Sequence, residues 1–158
     1  MKVLLVTTST NAVRTALKQD NSVELIVIEC TAKKSVTLEM IEQICRETFP
    51  DILITYRCPY ILPKRIFGQA RLGAYNIHPS LLPKYAGQNP WHEIFLYHER
   101  EGGVTLHRMT EQVDAGRIIC QSSFLIEESD TIDSARLKSD KEAAKIIKRF
   151  ISDFYQTI

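Results

Sequence analysis

Residues 2–7, Lys2-Val3-Leu4-Leu5-Val6-Thr7, and residues 23–28, Val23-Glu24-Leu25-Ile26-Val27-Ile28, are almost unbroken apolar runs of strand length. Such runs read as strands buried on both faces of a parallel sheet, because a strand with one wet face alternates polar and apolar residues. The segment between them, about 11–19, opens on Ser9, Thr10 and Asn11. These side chains accept hydrogen bonds from the free N–H groups at a helix start, so the three pieces make a βαβ unit.

The alternation continues. From Val36 the apolar positions Met40, Ile41, Ile44 and Cys45 recur at helical spacing, until Pro50 and Asp51 break the pattern and Ile52-Leu53-Ile54 begins a strand. A short helical stretch around 63–70 leads through Gly73 to the strand Ala74-Tyr75-Asn76-Ile77. That strand stops at His78-Pro79, because a residue before proline avoids the helical region. Residues 79–90 hold three of the six prolines and read as a long ordered loop before a helix near 90–100. Residues 104–109 and 117–126 read as strands joined through Val113-Asp114-Ala115-Gly116. A long helix then carries Ala143, Ile147, Phe150, Ile151 and Phe154 on one face. That face is expected to cover its own sheet, although it would equally suit a second copy; the oligomeric state is left open.

These elements predict a three-layer, Rossmann-like α/β fold: a mostly parallel sheet with an antiparallel strand near the carboxyl-terminal half. The 158 residues suit a single domain with a real core. With 44% hydrophobic and 25% charged residues, disordered, collagen-like and disulfide-miniprotein classes are excluded. The charge balance, 20 Lys and Arg against 19 Asp and Glu, gives no global field towards nucleic acid or anionic lipid. The opening apolar run is too short for a signal peptide or a membrane span, so a cytoplasmic protein is the default expectation. Cys30, Cys45, Cys58 and Cys120 form no C-x-x-C pair and read as reduced thiols. A second His six positions after His92 leaves no zinc-protease motif.

In doubly wound sheets ligands sit at the carboxyl ends of the strands. Asn76 and His78, two apart at such an end, leave the same face of the strand. Alone, this pair is equally what a loop-bonding histidine gives. Asp114 lies on the connection between the last two strands, where it is either a turn aspartate or a carboxylate that keeps a histidine charged.

Three segments decide the matter together: Asn76-Ile77-His78-Pro79-Ser80-Leu81-Leu82-Pro83-Lys84-Tyr85-Ala86-Gly87, Gly103-Val104-Thr105-Leu106-His107, and Val113-Asp114-Ala115-Gly116. In order and spacing they resemble the formyltransferase family, over about residues 50–130. The resemblance implies the formyltransferase fold in a reduced single domain without the carboxyl-terminal accessory domain of the tRNA-modifying relatives. It also implies transfer of a formyl group from 10-formyltetrahydrofolate to a primary amine, with Asn76, His78 and Asp114 as catalytic residues and no metal. Asn76 and a protonated His78 would stabilise charge on the formyl oxygen, and Asp114 would hold His78 charged. Tyr56, Arg57, Tyr60, Ile61, Leu62, Val113 and Asp114 are expected to bind the folate; for Ile61 and Leu62 core packing serves equally well.

The chain is short for this family between Cys30 and Asp51, where a sheet strand is expected to be missing. After the first strand, a glycine-rich phosphate turn is replaced by Thr7-Thr8-Ser9-Thr10-Asn11. Thr8, Ser9, Asn11 and Lys84 are the expected substrate contacts. The expected partner is a small amine such as an amino-sugar nucleotide or glycinamide ribonucleotide, with neither nucleic acid nor membrane. Hydrolysis of the formyl donor, or folate binding without catalysis, are the alternatives.

Overall fold

The computed structural model, which describes residues 1–8 and 23–156, places six strands in one sheet. They are β1 (Lys2–Thr7), β2 (Glu24–Glu29), β3 (Ile52–Tyr56), β4 (Gly73–His78), β5 (Glu101–Arg108) and β6 (Ile118–Leu125). The helices are α1 (Lys34–Thr48), α2 (Lys64–Phe67), α3 (Pro90–Leu96) and α4 (Ile132–Gln156). The helix expected over 11–19 lies outside the described residues.

The sheet order is β2-β1-β3-β4-β5-β6. The first three pairings are parallel and the last two antiparallel, so β5 alone runs against the other five strands. This is the expected mostly parallel sheet. The connection from Cys30 to Asp51 holds α1 and no strand.

The apolar runs are buried on both sides as their composition requires. Val3 and Leu5 join Ile52, Ile54, Tyr75, Ile77, Val104 and Leu106 under α4, while Leu4 and Val6 join Leu53 and Ala74 under α1 and α2. Each buried aliphatic side chain contributes about 1.5–3 kcal/mol, and four consecutive residues of β1, Val3 to Val6, are fully buried. α4 covers its own sheet through Ala143, Ile147, Phe150 and Ile151.

This two-sided alternation corrects one expectation. β3 continues through Tyr56, so the period of two sends Tyr56 to the α4 face with Ile52 and Ile54, away from the face on which it was expected to meet a folate. There its hydroxyl donates to Asp140 Oδ1 at 2.5 Å, and Arg57 Nη1 approaches the same carboxylate at 3.3 Å. Burial and the neighbouring carboxylate push the Tyr56 phenol well above its usual range. Tyr56→Phe is expected to leave the buried Asp140 one donor short and to cost about 1–3 kcal/mol. Urea unfolding should show a lower midpoint with an unchanged slope; a wild-type midpoint would mean the bond contributes nothing.

Candidate active site

Two rows of polar side chains cross the strands at right angles. Strand pairing sets Thr55 beside Asn76 and Asn76 beside His107. All three alternate out of the α4 core, so they line up on one face. Thr55 Oγ1 donates to Asn76 Oδ1 at 2.7 Å, and Asn76 Nδ2 donates to His107 Nε2 at 3.1 Å. The amide's second N–H has no partner among the described residues.

The second row runs from His78 to Thr105 to Gln121. It holds the proline-rich loop in place. Thr105 Oγ1 donates to the Ser80 carbonyl at 2.7 Å and accepts from Leu82 N at 3.0 Å, and Gln121 Nε2 donates to the Leu82 carbonyl at 2.9 Å. The same loop carries the Tyr85 carbonyl to 2.8 Å from His78 Nε2. A carbonyl only accepts, so Nε2 carries a proton and Nδ1 faces the other way.

Asp114 closes both rows. A break in the β5–β6 register between Leu106 and His107 turns the chain at the end of the hairpin. Asp114 sits beyond it in the left-handed region at φ 55°, which aspartate tolerates better than most residues. Its Oδ2 lies 3.3 Å from His78 Nδ1 and accepts the Gly87 N–H at 2.9 Å, while Oδ1 lies 3.4 Å from His107 Nε2. Gly87 supplies that N–H from φ 109°, a conformation that suits glycine.

Electrostatics differ from the expectation in one respect. Burial lowers the pKa of His78 below its usual value, against the upward pull of the Tyr85 carbonyl and the Asp114 carboxylate. Burial thus favours the neutral imidazole of His78 over the expected charged form. Burial works to raise the Asp114 carboxyl, but His107, the Gly87 N–H and imidazole charge outweigh it and keep it below the ordinary carboxylate range.

Asn76, His78, His107 and Asp114 line a cavity of about 470 Å³, within the span of small-molecule sites. Of the residues expected against a folate, Arg57, Tyr60, Ile61, Leu62 and Val113 line it and Tyr56 does not. Ile61 is 54% exposed and Val113 49% exposed, whereas Leu62 is buried. Of the expected substrate contacts, Lys84 points to solvent, 3.4 Å from Glu99, and is not part of the cavity wall. Thr8 is exposed, donates to the Arg57 carbonyl at 2.8 Å and is not part of the cavity wall. Ser9 and Asn11 lie outside the described residues.

Sequence reading passed over His107 as a site residue, and also Arg136 and Trp91, which share the cavity. For His107 a signal existed: Thr105 and His107 are polar positions that alternate with Val104 and Leu106 on a buried strand. Arg136 offered none, since its helix reaches the cavity only through tertiary packing.

A model of the formyl transferase family matches residues 1–151. The methionyl-tRNA formyltransferase of Staphylococcus epidermidis is 37% identical over 99 residues, 63% of this chain and 32% of its own length. The bifunctional polymyxin resistance protein ArnA of Wigglesworthia glossinidia brevipalpis is 45% identical over 82 residues, 52% of this chain and 12% of its own length. This chain thus spans no more than a third of these relatives. Among solved structures, phosphoribosylglycinamide formyltransferase from Anaplasma phagocytophilum superposes with a TM-score of 0.81 at 22% identity, covering 99% of this chain and 88% of that one. At that identity the likeness is one of fold.

Proposed function

Because the chain belongs to the formyl transferase family, we propose that it moves a formyl group from 10-formyltetrahydrofolate to a primary amine of a small phosphorylated or sugar substrate. The observation that carries this reading is the convergence of Asn76, His78 and Asp114 on one cavity, with both ring nitrogens of His78 oriented. A binding module would have no use for a carboxylate held 3.3 Å from a buried imidazole.

The cavity suits a flat, amide-rich ring. Backbone groups between Thr110 and Asp114 offer donors and acceptors, and the exposed Ile61 and Val113 offer apolar cover. 10-Formyltetrahydrofolate, bound there, supplies the activated formyl group. The second N–H of Asn76 is the donor available to a formyl oxygen that gains negative charge. Neutral His78 takes the surplus proton of the attacking amine at Nδ1, Asp114 stabilises the imidazolium that results, and that proton passes to the departing donor nitrogen as its bond to the formyl carbon breaks. Arg57 and Arg136 line the same cavity and suit an acceptor bearing phosphate.

The test is turnover of 10-formyltetrahydrofolate by the purified protein, alone and with amino-sugar nucleotides, glycinamide ribonucleotide or methionyl-tRNA, read by mass spectrometry. Formylation of an amine supports the proposal and identifies the acceptor. Turnover without an amine would make the protein a hydrolase, and no turnover at all would overturn catalysis.

A pH dependence follows with a definite sign. A base must be unprotonated to act, and the His78 pKa lies below the ordinary imidazole value of about 6.5. The acid limb of kcat/KM should therefore fall below pH 6.5. Activity that rises as the pH drops through that range would assign His78 the acid role instead. The same depression makes the native state bind fewer protons than the unfolded one between the two pKa values, so stability should also fall with pH there.

A further inference from the structure

Two of the four cysteines meet beside the cavity. Cys30 follows β2 and Cys58 lies two residues past β3, and a left-handed turn at Arg57, φ 52°, brings the second back towards the first. Their sulfurs are 3.6 Å apart, Cys30 Sγ donates to Cys58 Sγ, and Cys58 Sγ donates to the Tyr60 carbonyl at 3.4 Å. Further bonds tie the strand ends together. The Tyr60 hydroxyl donates to the Thr31 carbonyl at 2.6 Å, and Cys30 N donates to the Thr7 carbonyl at 2.9 Å. Cys45 is buried on the inner face of α1 in the cluster that holds Ile41 and Leu53, and Cys120 lies on β6 against the α4 core.

We propose that Cys30 and Cys58 are a modification site, forming a reversible intramolecular disulfide when a small-molecule disulfide enters the cavity that Cys58 lines. Both thiols are partly exposed, and Cys58 stands in the cavity wall between Arg57 and Tyr60. A disulfide bond is ~2.05 Å long, so the sulfurs need to close by roughly 1.5 Å. The 57–62 turn makes most of that movement, because Cys30 is anchored to β1.

The two thiols have distinct roles. The Cys30 S–H donates to Cys58 sulfur and holds the Cys58 thiol below its usual value despite burial. The same bond, with burial, pushes the Cys30 thiol up. Cys58 thiolate attacks one sulfur of the incoming disulfide, the incoming S–S bond breaks, and one thiolate leaves with the proton that Cys58 lost. Cys30 then gives up its proton and attacks Cys58 Sγ, expelling the second thiolate, which takes that proton. Two protein thiols are oxidised and one disulfide is reduced to two thiols.

The experiment is exposure of the folded protein to oxidised glutathione, followed by alkylation, digestion and mass spectrometry. The expected product is a Cys30–Cys58 bridged peptide lacking two hydrogens, with Cys45 and Cys120 alkylated, and dithiothreitol should restore alkylation of both bridged residues. Cys30→Ser should instead accumulate a stable glutathione adduct on Cys58, and Cys58→Ser should leave Cys30 unmodified. Absence of the bridged peptide in the wild type, a glutathione adduct persisting on wild-type Cys58, or bridging to Cys45 or Cys120 would overturn the proposal. None of these readouts depends on formyl transfer.

Discussion

Asp114→Asn is expected to lower kcat by about 10³-fold, within the range of ~10²–10⁴ that positioned proton transfer contributes. Asparagine has nearly the shape of aspartate, and its side-chain oxygen still accepts the Gly87 N–H, so the loop keeps its place. What disappears is the negative charge 3.3 Å from His78 Nδ1 and 3.4 Å from His107 Nε2. An imidazole that takes a proton during the reaction then has no counter-charge in a buried site, where lone charges are costly. Donor affinity should change little, because the cavity wall is intact. Asp114 is also one of the groups that raise the His78 pKa, so the acid limb should move to lower pH in the variant. Steady-state kinetics at saturating donor, with a melting curve as the control for folding, decide the question. A variant within tenfold of wild type would remove Asp114 from the chemistry.

Gly116→Ala is expected to lose both stability and activity. A Cβ built at Gly116 would lie 1.7 Å from the Arg108 carbonyl oxygen and 2.8 Å from its carbon. Backbone cannot swing aside as a side chain does, so the loop must lift off the end of β5. Arg108 N donates to the Arg117 carbonyl at 2.9 Å, and that closing bond of the hairpin lies directly beside the intrusion. Overpacking of this kind costs about 1–3 kcal/mol, which for a chain of this size lowers the melting temperature by about 2–4 °C per kcal/mol. The lifted loop includes Asp114, two residues away, so kcat should fall towards that of Asp114→Asn. Calorimetry and kinetics on the same preparation test both halves. A variant that melts and turns over like wild type would mean that the loop can yield without moving Asp114.

The architecture was legible in the sequence because its signals are local. Unbroken apolar runs marked β1 and β2, Pro50 and Asp51 ended α1, and His78-Pro79 ended β4. Asn76, His78 and Asp114 stood out through their segments. Tyr56 and His107 share a cause, which is that strand facing and pairing register are non-local. The strand reading that stopped before Tyr56 lost the alternation that buries its side chain with Ile54. His107 is a site residue because β5 pairs with β4 in one register and not its neighbour, and no property of residues 101–108 alone states that register. Lys84 failed for another reason: its loop turns the side chain outward to Glu99, an ion pair between residues fifteen apart.

The two polar rows make the proposed formyl transfer a reporter of correct assembly. Thr55, Asn76 and His107 come from three strands, and His78, Thr105 and Gln121 from β4, β5 and β6. Slipping any one strand by a residue would send its member of a row into the opposite layer. A chain refolded from denaturant could thus regain its helices and its compactness while remaining inactive. The return of turnover would time the moment at which β3, β4, β5 and β6 lock into step.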